Sequence, residues 1–296
     1  MINSIEEYLT ILKKELKGSD QSTIQDALSD AEEHLRTALD SAAINKPEIL
    51  EADALQPIIE EYGAPDEISI AYKELERLIQ PTLAASRQSN TRNFLARFFG
   101  IYAEPKAWGA LLYMIISLLT GIIFFTWTVI GISFSISFAL FIFGLPLIAF
   151  FLLSIRGLAL VEGRIIEALL GVRMPRRPLF YSKNLPWRER LKMLVTDKHT
   201  WLASTYMLLM LPLGTLYFTL FTILISFSVA LIATPIAELI FDLPLMYIYD
   251  VAYRIPPELM PLVMLAGVLL ITATMHLAKI IGKLHGSLAK TMLVAE

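Results

Sequence analysis

Metal chemistry in this 296-residue chain would rest on four histidines, His34, His199, His276 and His285, because there is no cysteine. Disulfides and thiolate metal sites are thereby excluded. His34 follows Glu32 and Glu33, and three consecutive helical positions cannot all face one ion, so it reads as a solvated helix residue. No HExxH, no GxSxG and no glycine-rich phosphate loop is present. Ser133, Ser135 and Ser137 have no histidine or acid near them in the chain. His276 lies in a strongly apolar run three residues before Lys279. A pH switch there is conceivable chemistry, but a residue near a membrane interface is the plainer reading. The expectation is a protein that is not an enzyme and holds no metal or cofactor.

The elements that would carry these residues are apolar. Hydrophobic residues make up 55% of the chain and charged ones 18%, against ~25% in an ordinary globular protein. The charges are segregated. Residues 107–155 and 199–237 hold no Asp, Glu, Lys or Arg. A helix needs ~20 apolar residues to cross a bilayer, so the first tract has room for two crossings. Ion-coupled transport needs buried ionisable groups near the midplane. Neither charge-free tract supplies one, so a proton-driven pump is not expected, while a passive or lipid-handling path stays open.

Charge also orients the chain. Residues 1–106 carry 19 acids against 11 bases, and the loop 156–198 carries ten bases against four acids. Arg87, Arg92, Arg97 and Lys106 precede the first tract, and Lys279, Lys283 and Lys290 follow the last. Basic flanks face the cytoplasm. Five crossings would strand one basic segment outside, whereas four satisfy them all. The crossings are expected near 107–129, 133–156, 200–224 and 259–281, with both termini inside. The acidic segment 238–258 becomes the outer loop. Residues 225–237 either extend the third helix or lie along the outer interface. Residues 1–25 lack a basic start followed by an apolar core, so no secretory leader is expected.

Three regions follow. Residues 1–80 read as a soluble domain of four short helices. Ser4 caps a helix bearing Ile5, Tyr8, Leu9, Leu12 and Leu16, which Gly18 ends. Ser22 caps the second, Gly63 stops the third, and Pro65 opens a fourth with the apolar set Ile68, Ala71, Tyr72, Leu75 and Leu78. Residues 81–106 are a basic amphipathic linker, and 107–296 form the membrane domain. The expected fold is all-α: a small helical domain plus a four-helix transmembrane bundle.

The bundle is written twice. Trp108–Thr128 and Trp201–Phe221 match at eight of 21 positions at an offset of 93, among them Trp108/Trp201, Tyr113/Tyr206, Met114/Met207 and Gly121/Gly214. Gly144–Leu170 runs parallel to Gly267–Leu293 at an offset of 123, with Arg156 on Lys279 and Gly163 on Gly286. Two hairpins, 107–172 and 200–293, can thus pack about a pseudo-two-fold axis. Trp108 and Trp201 are expected interfacial anchors. Gly121 and Gly214, with the four-residue series Gly131, Ser135, Ala139 and Ala278, Gly282, Gly286, are expected helix-packing positions. Arg156, Arg164, Arg173, Arg176, Arg177, Lys279 and Lys283 are expected to meet anionic headgroups.

The run AWGALLYMI, TGIIFFTWTVIG, FGLPLIAFFLLSIRGLALVEGRIIEALLGVRMP and TDKHTWLASTYMLLMLPLGTLYF resembles a bacterial sensor-domain family of multi-pass membrane proteins. The N-terminal pattern IEEYLTILKKELKG, DALSDAEEHL, IIEEYGAPDEISIAY is similar to the HAAS helical signalling domain, which is associated with PadR-type regulators. The resemblance implies a bacterial inner-membrane sensor that passes a membrane or envelope state to a cytoplasmic regulator, PadR-like or other. A transport or lipid-handling role is the alternative. Anionic lipid is an expected partner, a second copy of the chain stays open, and no direct nucleic-acid contact is expected. The expected partner surface is Asp26, Asp30, Glu33 and Asp40 on the second helix, with the corner Tyr62, Gly63 and Pro65.

Overall fold

The computed structural model describes residues 2–45, 51–84, 94–138, 141, 144–176, 187–242, 244, 246–249 and 251–294. Four short helices come first: α1 (Ile5–Glu15), α2 (Gln21–Asn45), α3 (Glu51–Tyr62) and α4 (Pro65–Ala84). The Ser4 hydroxyl accepts the Glu7 N–H at 3.2 Å, capping α1. α2 starts one residue early for a Ser22 cap. Asp20 does that work, its Oδ1 accepting the Ser22 N–H at 2.9 Å, which frees the Ser22 hydroxyl for a long-range contact. Gly63, at φ +116, ends α3, and its carbonyl accepts the Tyr8 hydroxyl at 2.8 Å. Ile5, Tyr8, Leu12, Leu16, Ala27, Ala31, Leu35 and Leu55 form a core of their own.

α4 departs from expectation. Ile68 and Tyr72 pack on that core, but Leu75 and Leu78 are 46% and 68% exposed. The helix turns Ser69 and Glu76 inward instead. Glu76 accepts the Asp20 N–H at 3.1 Å, so a polar contact fixes the buried face. α4 also runs through Pro81 to Ala84, shortening the linker, which then holds α5 (Phe94–Phe99) and a 3-10 turn at Gly100–Ala103.

Among the described residues, four helices are long and apolar enough to cross a membrane: α6 (Pro105–Phe138), α7 (Gly144–Leu170), α9 (Lys198–Phe241) and α10 (Met260–Leu293), with the short α8 (Trp187–Thr196) before α9. Each is longer than its charge-free stretch. A 34-residue helix spans ~51 Å, well beyond the ~30 Å hydrocarbon core, so charged turns continue the spans at their ends. Residues 225–237 extend the third span. The segment expected as loop from 238 begins with the last turn of α9, where Glu238 is buried and accepts the Ile255 N–H at 3.1 Å. A hairpin of β1 (Met246–Ile248) and β2 (Val251–Tyr253) follows, with Tyr249 at its tip. Apart from this hairpin the described fold is all-α, as expected.

The most extensive helix contact is α6 against α9. Two glycines make it close. A Cβ on Gly121 would lie 2.5 Å from the Met210 carbonyl oxygen, and one on Gly214 would lie 2.7 Å from the Ser117 carbonyl carbon. The contact is reciprocal, since Ser117 and Met210 are themselves 93 residues apart.

Candidate functional site

Four polar side chains meet inside the bundle, one turned inward by each span. Tyr113 from α6 donates its hydroxyl to Glu162 Oε1 of α7 at 2.6 Å. Tyr206 from α9 donates to the same oxygen at 3.1 Å. Both hydroxyls also lie against His285 Nε2 of α10, at 2.6 and 3.0 Å. Tyr217 of α9 reaches the other ring nitrogen, Nδ1, at 3.3 Å, with its ring edge-on to the imidazole. Tyr113, Glu162 and Tyr206 are fully buried and His285 is 1% exposed. Glu162 Oε2 is buried with no hydrogen-bond partner.

The local reasons are plain. Tyr113 and Tyr206 flank Met114 and Met207, which fill the same core. The close α6–α9 crossing at Gly121 and Gly214 brings the two hydroxyls to one place. Glu162 and His285 are each followed by a glycine, and both glycines receive the segment after α7. A Cβ on Gly163 would be 3.3 Å from the Met174 Cβ, and one on Gly286 would be 2.6 Å from Val172 Cγ2. Val172, Arg173 and Met174 are therefore wedged between the two helices that bear the acid and the base.

That segment also holds α2. The Ser22 hydroxyl donates to the Arg173 carbonyl at 3.0 Å. The Arg176 N–H donates to Asp26 Oδ1 at 2.6 Å. Lys290, one turn beyond His285, pairs with Asp20. Burial alone would raise the Asp20 carboxyl, but hydrogen bonds from Lys290 and Ser22 more than reverse this and hold it below the usual range. A cavity of about 50 Å³ lies at the junction, lined by Gln25, Arg156, Met174, Pro175, His199 and Leu293 among others.

Several expected site residues take other roles. Trp108 and Trp201 are half-exposed at the bundle rim, and each indole donates to the carbonyl six residues earlier, Tyr102 and Val195. Arg156 does not present a free headgroup contact. It bonds Asp197 at 2.6 Å and Thr200 at 2.8 Å and is largely buried. Its counterpart Lys279 pairs with Glu104. Arg164 and Arg176 share Glu167. Arg173 has two buried guanidinium nitrogens without an acceptor. Lys283 is exposed. Gly131 makes room for the Phe151 ring, and Gly282 for Ala110 and Leu170. Ala278 is buried in the core, and Ser135 lines an apolar groove between α6 and α7. Arg177 and Ala139 lie outside the described residues.

The expected partner surface changes too. Asp26 is buried at the junction rather than solvated, because its carboxylate caps the Arg176 N–H. Asp30 accepts the Tyr72 hydroxyl at 2.9 Å. Glu33 is exposed and Asp40 half-exposed. Tyr62 stacks on His34, beside Gly63 and the buried Pro65. His276 contacts the Phe98 carbonyl at 2.9 Å and is not part of the cluster.

Glu162 and His285 are not among the site residues singled out from the sequence. They sit outside the charge-free tracts, yet inside helices that run on to Leu170 and Leu293. One signal marked them: at the offset of 123, Glu162 falls on His285, as Tyr113 falls on Tyr206 at 93. Among the described residues, no group of three His, Asp or Glu is set to hold a metal ion.

An all-α membrane protein with four spans, a buried acid–base cluster between them and helices docked at one end is the class these features define. The chain matches the family described as "Putative sensor" over residues 113–293. That is more than half its length and takes in every member of the cluster, and the chain belongs to this family. No curated protein and no solved structure matches the chain.

Proposed function

We propose that this is a bacterial inner-membrane sensor whose membrane domain passes its state, through the segment 172–176, to a HAAS-like helical domain that engages a cytoplasmic regulator. The observation that carries this reading is the wedge. Val172 and Met174 rest on glycines beside His285 and Glu162, and the residues around them, Arg173 and Arg176, bond Ser22 and Asp26 of α2. A shift of α7 against α10 therefore moves the seat of the N-terminal helices. The basic flanks support cytoplasmic termini in this reading.

The membrane domain is, in this reading, two related hairpins about a pseudo-two-fold axis. Equivalent positions supply equivalent contacts. Gly121 and Gly214 cross reciprocally. Arg156–Asp197 and Lys279–Glu104 join the second helix of each hairpin to the start of the other hairpin. Trp108 and Trp201 bond the same relative carbonyl. Such an arrangement joins two equivalent halves through equivalent contacts at the same end of the bundle.

The test is recovery of partners from native membranes with the intact chain and with residues 81–296 alone. The intact chain is expected to bring down a helix-turn-helix regulator, and the shortened chain to insert normally but bring down none. Unchanged co-purification and transcription after the deletion, with loss of uptake or export of a compound, would replace the signalling reading by a transport one.

A further inference from the structure

We infer that the Tyr113–Glu162–Tyr206–His285 cluster is a proton-binding site, and that the proton it holds sets how firmly the N-terminal helices are seated; this rests on the sensor reading above.

The chemistry follows from the bonds. Tyr113 bridges Glu162 Oε1 and His285 Nε2 with 2.6 Å on each side. In one arrangement Glu162 is a carboxylate, the imidazolium N–H donates to the Tyr113 oxygen, and Tyr113 donates to Glu162. Moving the imidazolium proton to the tyrosine oxygen, and the tyrosine proton to the carboxylate, gives a neutral acid and a neutral imidazole. No bond other than O–H and N–H changes, no oxidant or reductant is needed, and the cluster stays neutral with one shared proton. Losing that proton leaves one negative charge in an apolar core. Gaining a second leaves one positive charge. Either uncompensated charge is costly where water is excluded, and relief comes from parting α7 and α10 or admitting water. Glu162 Oε2, buried without a partner, is the atom that would take new solvation first.

Most of the charged groups around the cluster are already paired. On α7, Arg156 pairs with Asp197 of α9 and Arg164 with Glu167. On α10, Lys279 pairs with Glu104, Lys290 with Asp20, and Lys283 points to solvent. On α6 the next ionisable side chain is Lys106, seven residues before Tyr113. On α9, His199 lines the junction cavity, and Tyr217 completes the ring of partners. On the wedge, Arg176 pairs with Glu167, and Arg173 flanks Met174 with two buried guanidinium nitrogens that have no acceptor. With Arg173 a fixed cation at every pH used, the pH-dependent part of the local charge is decided by the protons of the cluster.

The outcome at the junction is read with one thiol. The chain has no cysteine, and Gln25 is buried against the wedge. Full-length Gln25→Cys protein in lipid vesicles is labelled with a maleimide across pH, with rates corrected for thiolate fraction. Working above about pH 5 keeps Asp20 ionised. The labelling rate is expected to pass through a minimum and to rise on both sides by about fivefold or more, the lower end of ordinary coupling between sites. Glu162→Gln leaves only the imidazole to titrate, so it removes the alkaline limb and keeps the acid one. His285→Gln removes the acid limb and keeps the alkaline one. Tyr113→Phe preserves shape but cuts a bridge, so it narrows the window from both sides. It keeps the test decisive if either charge variant fails to fold.

A flat profile in the parent protein overturns the inference. So does an acid limb that survives His285→Gln, which would assign it to His199, or a stoichiometric transition metal found in the purified protein. Two limbs assigned as above without recovery of any regulator would leave the proton site standing and remove the signalling reading. Recovery of a regulator with no pH dependence would do the reverse.

Discussion

Gly214→Ala places one methyl group at the tightest point of the α6–α9 crossing, where its carbon would sit 2.7 Å from the Ser117 carbonyl carbon and closer still to the oxygen. Gly121→Ala does the same on the other side, 2.5 Å from the Met210 carbonyl oxygen. Ordinary contact begins at 3.4 Å, so the two backbones must part by about 1 Å. Overpacking of this kind costs about 1–3 kcal/mol. Replacing a helical glycine by alanine returns up to about 1 kcal/mol of propensity. A net loss of up to about 2 kcal/mol is expected for each variant. The double variant should cost less than the sum, because one separation of the helices relieves both clashes. Gly157→Ala is the control: nothing lies within 4 Å of its Cβ, and it should be neutral or stabilising. Unfolding of purified protein in mixed micelles, followed by circular dichroism, measures all four. If Gly214→Ala matches Gly157→Ala, or if the two crossing variants add fully, the reciprocal close crossing is not what sets the bundle.

Three other outcomes follow from the same contacts. Arg156→Met should destabilise by about 1.5–3 kcal/mol, as expected for a charge-assisted hydrogen bond, whereas Lys279→Met, at a more exposed pair, should cost about 1 kcal/mol or less; chemical denaturation compares them. The Asp20 carboxyl is held below its usual range, so its contribution to seating α2 is full above the unfolded value and lost as pH falls through the lower folded one; Asp20→Asn should remove loosening below about pH 4 in the Gln25→Cys assay. Single cysteines at Ser19 or Lys283 should be shielded from an impermeant thiol reagent in intact cells, while one at Tyr249, which is 97% exposed, should react; labelling of Lys283→Cys from outside would overturn the four-span topology.

Charge segregation and periodicity made the number of spans legible, because an apolar tract of bilayer length has few alternatives. Span ends were less legible. Charged residues such as Glu162, Lys279 and Lys290 end a span when it is defined by absence of charge, while the helix itself continues through them. The inward face of α4 was misjudged for a similar reason. Leu75 and Leu78 fit an apolar stripe, but Glu76 is drawn in by the Asp20 N–H, and one buried hydrogen bond outweighs a weak amphipathic preference. The candidate site was hidden because its four members lie on four helices, 44 to 172 residues apart, and no local motif joins them. The arginines after the second span were legible as cations but not as partners of Asp197, Glu167 and the α2 seat, which only the packing decides.

The two members of the cluster that differ between the hairpins are the acid and the base, and charge arithmetic gives a reason. If both positions held glutamate, neutrality would require two bound protons, and loss of either would leave a net negative core. If both held histidine, neutrality would require none, and each proton gained would add positive charge. Only one acid with one base is neutral with a single shared proton, and so is bounded on both sides of pH. The hydroxyls of Tyr113 and Tyr206 contact both Glu162 Oε1 and His285 Nε2, so these two hydroxyls do not dictate which helix carries which group; Tyr217 alone distinguishes the positions, since it contacts only His285. His285→Glu should therefore leave only the alkaline limb of the labelling profile, and Glu162→His only the acid limb. The exchange of both, Glu162→His with His285→Glu, should restore the two-sided minimum. A restored fold without a restored minimum would mean that the neighbours of each position, and not the proton they share, set the seating of the N-terminal helices.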